Sequence, residues 1–400
     1  MMETKHCTLN KKTALAIFCV GVTAFAALNC LQPIIPAIGR GLGLAPAAAS
    51  LISSAGMLGV AFMLFALTFL AERLPRKKYI ALALAICSSG TALLGLLPDF
   101  SLMLALRFVT GMSIAFIPTL MMAYIQEEFS ASDIASISGL YISGTTIGGL
   151  LGRLLTSYFT DAVSWQMSLV ICGAVLICTA LVEAKLLPQE QQQRQQAKSF
   201  SWSFFSRKNK SLFLLCLLAF CIMGCFVSVF NYIPYVLLSA PYNLPQSLIG
   251  IIFLVQICGF LSSSSCGRLV KIMGTVKLIS LQLVVMLLGI VLTLQNPLSL
   301  KLLGLAAVNF GFFGAHACAI AWCGMLCPSQ KAASVALYML CYYAGASIMG
   351  SGAGIFYQQS GWSGVVSVVI AAIIIAALAL GGIFYLRKAV KLTQNNLQHV

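Results

Sequence analysis

Long apolar runs separated by short polar connections recur along all 400 residues of the chain. A helix needs roughly 20 residues to cross a hydrocarbon core of ~30 Å, and the apolar runs at 13–38, 47–71, 79–97, 101–126, 134–159, 166–187, 211–239, 247–266, 276–294, 301–326, 332–358 and 363–386 meet that length. No connection is long enough to hold a soluble domain. The pattern predicts an all-α membrane protein of twelve spans.

Composition agrees: 60% of residues are hydrophobic and 8% charged, outside the range of soluble globular proteins. The first span follows Lys11 and Lys12 but is too long for a signal peptide's apolar region and has no small-x-small cleavage site. Lysine and arginine crowd alternate loops, including Arg73, Arg76, Lys77, Lys78, Arg207, Lys208, Lys210, Arg268 and Lys271, whereas the opposite side keeps Arg40 and Lys301. By the positive-inside rule both termini are cytoplasmic. The net charge of +15 therefore reads as topology and contact with anionic lipid, and no nucleic-acid partner is expected. The 15 cysteines lie mostly inside apolar spans with no Cys-x-x-Cys, so small buried thiols are expected, with no metal site and no cofactor.

Residues 189–210 interrupt the apolar pattern with a glutamine-rich run and then Phe200, Trp202, Phe204 and Phe205 beside basic residues, which suggests a connector lying in the inner headgroup region. On either side the sequence repeats at an offset near 200. Gln32-Pro33-Ile-Ile-Pro36 is matched by Asn231-Tyr232-Ile-Pro234-Tyr235, and Tyr141-x-x-Gly144 by Tyr342-x-x-Gly345. Two pseudo-symmetric six-helix bundles, 1–188 and 211–400, follow from this duplication.

Two six-helix halves, a central linker and a basic loop between the second and third spans resemble the major facilitator superfamily. That family's loop pattern, Gly-x-Leu-Ala-Asp-Arg-x-Gly-Arg-Lys, is met from Thr68 to Lys77 with Thr68, Glu72 and Pro75 as departures; Arg107 and Gly111 meet its fourth-helix pattern. Its antiporter pattern Gly-Pro-x-x-Gly-Gly is met by Gly144 to Gly149 with Thr145 for proline. More narrowly, Asn29-x-x-Gln32-Pro-Ile-Ile-Pro, Gly144 through Arg153, and Phe230-Asn231-Tyr232 followed by Ala240-Pro-Tyr-Asn-Leu-Pro-Gln are similar to the YnfM-like branch of the drug:proton antiporter group. The resemblance implies alternating access, with halves that rock about a midplane site.

Arg107 and Arg153 are the chemistry that most needs a reason, because a guanidinium inside a span is costly. Each lies about six residues, or ~9 Å at ~1.5 Å per residue, from the outer end of its span. No acid falls in the middle of any predicted span and none follows Glu190, while the nearest outer acids, Asp99 and Asp161, sit near helix ends. Backbone carbonyls of a neighbouring helix, outward snorkelling, or a bound anionic group would each answer the charge. Candidate substrate-binding residues are Asn29, Gln32, Arg107, Tyr141, Arg153, Asn231, Tyr232, Gln256, Asn309 and Tyr342. His316, the only histidine in a predicted span, is a candidate proton carrier, with Arg107 as a charge controlling a neighbour's proton affinity. Glu72, Arg73 and Arg76 with Glu127, Glu128 or Asp133 form a candidate conformational gate. Gly111, Gly144, Gly148, Gly149, Gly152, Gly345, Gly350 and Gly354 are expected at helix-packing surfaces, those at four-residue spacing letting the halves slide.

The functional expectation is a secondary active transporter of a bacterial inner membrane, monomeric, exporting small drug-like, amphipathic or anionic compounds in exchange for protons. Uptake or exchange of a small organic anion without proton coupling is the second reading. A polytopic membrane enzyme is remote, since the chain offers no nucleophile, metal cluster or acid/base pair near an interface.

Overall fold

The computed structural model describes residues 10–130, 132–190, 210–326 and 331–397. The helices are α1 Lys11–Gly41, α2 Pro46–Leu70, α3 Arg76–Leu94, α4 Phe100–Glu128, α5 Ile134–Ala162, α6 Trp165–Leu186, α7 Lys210–Leu238, α8 Gln246–Met273, α9 Thr275–Leu292 and α10 Leu298–Leu326. A final run, Lys331–Leu397, is broken at Gly361, whose φ of 60° no regular helix contains, into α11 (331–360) and α12 (362–397). Eleven described helices are long and apolar enough to cross a membrane, and the break at Gly361 makes the last of them two spans. The fold is the all-α membrane architecture expected. Most of the linker, including Phe200, Trp202, Phe204 and Phe205, lies outside the described residues.

Local chemistry sets the ends. Asn10, Asp99 and Ser164 cap α1, α4 and α6 by accepting hydrogen bonds from the backbone N–H groups of Thr13, Leu102 and Met167. Pro46 starts α2, where its missing N–H has no helical partner to lose.

Two compact units emerge: one holds the helices before residue 190 together with residues 234–253, and the other holds 210–233 and the chain from 254 onward. In the first unit α1 lies against α5, and α2 against α4. The glycines make these approaches possible. A Cβ on Gly144, Gly148 or Gly152 would strike the α1 backbone at Phe18, Val22 and Ala26 in turn. Gly111 sits in the same way on the Gly56 carbonyl of α2. In the second unit Gly345 meets the α7 backbone at Phe220, Gly350 meets Val227, and Gly354 is buried. The sequence-based expectation that these stripes let the halves slide is corrected: they are seams inside each unit, closed on backbone at Gly111, Gly144, Gly148, Gly152 and Gly345 and on the Val227 side chain at Gly350. Gly149 differs, facing Asn29 and Arg153.

One helix departs from its predicted form. Where the pattern predicts a single span over 13–38, regular helix stops at Asn29, passes through a 3-10 turn at Gln32–Ile34 and resumes at Ile35. Pro33 and Pro36 are the cause, because each lacks the N–H that a helix needs and crowds the preceding turn. Pro234 alone, at the matching place in α7, leaves that helix continuous from Lys210 to Leu238.

Gly148→Leu should prevent α1 from seating on α5, costing at least the ~1–3 kcal/mol of an overpacked core. Purified protein should show a lower Tm or fail to fold, whereas Gly352→Ala, where a Cβ meets nothing within 4 Å, should melt like the wild type.

Candidate functional site

The break in α1 exposes backbone acceptors in the interior of the first unit, and Arg107 and Arg153 converge on it. Arg107 of α4 is 1% exposed. It donates from Nη1 to the Ala27 carbonyl and from Nη2 to the Leu28 carbonyl, both at 3.2 Å, and from Nε to the Ile52 carbonyl of α2 at 3.4 Å. Carbonyls at a helix C-terminus carry the negative end of the helix dipole, so the broken end of α1 is a cation site built from neutral groups. Gly56 leaves the space, since a Cβ there would stand 2.8 Å from Arg107 Nη2.

Arg153 of α5 takes the side-chain acceptors of the same break. Its Nε and Nη2 donate to Gln32 Oε1 at 3.1 and 2.8 Å, Nη2 also to Asn29 Oδ1 at 2.7 Å, and Nη1 to the Gly149 carbonyl at 2.8 Å. The Phe253 ring lies over the guanidinium, 4.9 Å from Cζ to centroid, a favourable cation–π contact. Thr156 one turn on donates to the Cys30 carbonyl at 2.6 Å. Gln246 Nε2 donates to the Pro33 carbonyl at 2.9 Å. Arg153 is 3% exposed, and half-buried Asn29 is the member of the cluster nearest solvent.

Asn29, Gln32, Arg107 and Arg153 are thus brought together. Asp99 and Asp161 stay out of the cluster: the first caps α4, the second accepts from Ser247 N and Oγ at 3.3 and 2.8 Å. Tyr141, also on α5, is buried well before the cluster along that helix.

The remaining candidates lie in the second unit. Asn231 Nδ2 donates to the Gly350 carbonyl at 3.4 Å, and Tyr232 Oη to the Ser351 carbonyl at 3.2 Å, its ring stacked 5.5 Å from Tyr357. Asn309 donates to the Leu305 carbonyl at 2.8 Å while its Oδ1 is buried without a partner. Gln256 opens the second part of α8, after a 3-10 turn at Phe253–Val255. His316 Nδ1 is 2.9 Å from Tyr338 Oη, and its ring packs 4.4 Å from Tyr342 and 6.1 Å from Phe312. An aromatic box with one hydroxyl holds the imidazole.

At the basic end of the first unit, Arg76 pairs with Glu127 through two bonds, Nη2 to Oε1 at 2.7 Å and Nε to Oε2 at 3.1 Å. It also donates to the carbonyls of Ala71 and Leu74. Asp133 instead accepts from Ser130 Oγ at 2.8 Å. Glu128 is buried, while Glu72 and Arg73 lie on the 3-10 turn Ala71–Arg73.

Residues 17–349 match the Major Facilitator Superfamily profile. The chain belongs to that superfamily. It is 33% identical over 386 residues to the MFS-type transporter YybF of Bacillus subtilis (strain 168), covering 96% of this chain and 95% of the relative. It is also 33% identical over 374 residues to the inner membrane transport protein YnfM of Escherichia coli (strain K12), covering 92% and 89%. Among solved structures, the nucleoside transporter NupG shares the fold with a TM-score of 0.71 at 15% identity, covering 93% of this chain and 99% of that one. A bacterial homologue of the lysosomal transporter Spinster does so with a TM-score of 0.71 at 14% identity, covering 94% and 96%. This major facilitator protein is therefore an integral membrane transporter with an alternating-access fold, and not an enzyme.

One acid escaped the sequence reading. Glu183, near the end of α6, is 1% exposed and accepts from Thr23 Oγ1 of α1 at 2.6 Å. Its position close to a helix end disguised it, because burial there depends on how α1 packs, which composition does not carry.

Gln32→Leu should cost about 1–3 kcal/mol, the penalty of leaving a buried charged donor short of an acceptor. A Tm for purified Gln32→Leu equal to the wild type would show that the amide does not hold Arg153.

Proposed function

We propose that this transporter is a proton-coupled exporter of small amphipathic or anionic organic compounds, similar to the drug:proton antiporter group, working as a monomer in a bacterial inner membrane through two six-helix halves joined at 189–210. One observation carries the substrate class. Among the described residues Arg107 is buried and bonded only to three backbone carbonyls, which satisfy its N–H groups without cancelling its charge. An anionic group brought beside this cluster would be attracted by Arg107 and by Arg153, with the Asn29 amide at the accessible edge. In the second unit Asn231, Tyr232, Gln256, Asn309 and Tyr342 are the candidate substrate-binding residues, considered within that unit alone.

In this reading Arg76 and Glu127 form the gate, holding in one state and parting in the other. A difference of a few kcal/mol is enough to shift such an equilibrium decisively. His316 in its tyrosine-lined box is the proton carrier of the second half.

Arg107→Ala should insert into the membrane at wild-type levels and lose transport in vesicles with an imposed pH gradient. Wild-type flux in that variant ends the site assignment, and flux indifferent to collapsing the gradient favours gradient-independent organic anion exchange. His316→Gln should flatten the pH profile of transport, whereas an unaltered profile removes His316 from the proton pathway.

A further inference from the structure

Glu183 is the buried acid for which none of the roles above accounts. Its Oε1 is 2.6 Å from Thr23 Oγ1, Thr23 Oγ1 is 2.9 Å from Thr179 Oγ1, and Thr179 Oγ1 is 2.9 Å from the Leu176 carbonyl. The other carboxyl oxygen, Oε2, is buried with no partner among the described residues. No described lysine or arginine pairs with Glu183. The titratable groups facing it are two thiols, Cys19 of α1 and Cys87 of α3. On α5, the charged side chains are engaged elsewhere, Asp133 with Ser130, Arg153 with Asn29 and Gln32, and Asp161 with Ser247. Lys185 on α6 itself is exposed and, two residues away, points off another face.

The hydrogens of such a chain are free to order in two ways. With a proton on Oε1, Glu183 donates to Thr23, Thr23 to Thr179 and Thr179 to the Leu176 carbonyl, so that each hydroxyl donates once. With the carboxylate ionised, Thr179 donates to Thr23 and Thr23 to Glu183. Both orders fit the same heavy-atom positions. The second, however, leaves half of a negative charge on the buried Oε2 with no donor among the described residues, a costly arrangement in an apolar interior. The geometry therefore accommodates the neutral acid at rest and offers the ionised form a donor. Glu183 lies within one turn of the end of α6 at Leu186, on the side of the basic loops, which gives a short route to water.

We propose that Glu183 is a proton-exchanging site of the first unit, binding one proton as a carboxylic acid hydrogen-bonded to Thr23 and releasing it to water at the Leu186 end of α6. Thr23 stands on α1 one turn before Ala27 and Leu28, whose carbonyls hold Arg107. Proton binding thus acts on the helix that anchors both arginines. The proton site itself needs no assumption about cargo; its part in coupling rests on the proton-linked reading above.

pH-difference infrared spectra of the purified full chain, recorded without cargo or gradient, test the site apart from that reading. A protonated carboxyl band that disappears as pH rises and is missing from Glu183→Gln is expected. Thr23→Val should keep the band and shift the pH at which it is lost by about one unit, a tenfold change in proton affinity. Spectra of wild type and Glu183→Gln that coincide at every pH overturn the proposal. So does a Glu183 band that persists unchanged across the range, since the acid would then be structural. Should Glu183→Gln fail to fold, a band insensitive to Thr23→Val and to pH has the same force.

Discussion

A guanidinium inside an apolar bundle must find acceptors, and the first unit meets that demand by breaking a helix. Placing an arginine at the centre of a membrane span costs roughly 2.5–3.5 kcal/mol even on lenient insertion scales. Hydrogen bonds to charged groups return about 1.5–3 kcal/mol each, so three carbonyl bonds to Arg107 are enough to hold it. Those carbonyls are available because regular helix ends at Asn29, ahead of Pro33 and Pro36, and the carbonyls of a last helical turn lack helical donors. The glycine seams follow from the same demand. Gly56, Gly111 and the Gly144–Gly152 stripe bring α2, α4 and α5 close enough to α1 for two side chains to reach one break.

Duplication makes the asymmetry informative. The second unit repeats the close α7–α11 approach and an amide at the matching place, Asn231, which donates to the Gly350 carbonyl. It carries a single proline there, an unbroken α7, and Ala307 where the first half has Arg107. The buried arginine and the proline-pair break therefore occur together in one unit, and neither has a counterpart at the matching place in the other. A cation site made by a proline pair has no use for the pair once the arginine is gone.

Much of this was legible in the sequence. The twelve spans and the duplication came from periodicity and spacing, which depend on local composition, and the family patterns from resemblance to known motifs. Arg107 and Arg153 stood out because charge in an apolar run is conspicuous, and their common depth followed from counting. Their partners were not legible. Backbone carbonyls leave no trace in residue identity, and the Pro-Ile-Ile-Pro run signalled irregular helix without saying which way its acceptors point. Glu183 was missed for the converse reason: near a helix end a carboxylate is expected to reach water, and only the packing of α1 shows that this one does not. The glycine stripes were recognised as packing surfaces, but whether a seam closes within a unit is a matter of tertiary contact.

The central claim is that the uncancelled charge anchored at the α1 break serves an anionic group. Thermal stability of the purified protein, titrated separately with organic anions, cationic drugs and neutral sugars, tests it most directly, because a ligand raises Tm only by binding the folded state. The account predicts a rise in Tm with organic anions that is lost in Arg153→Gln. Stabilisation by cationic compounds or sugars, with no response to any organic anion, would contradict it.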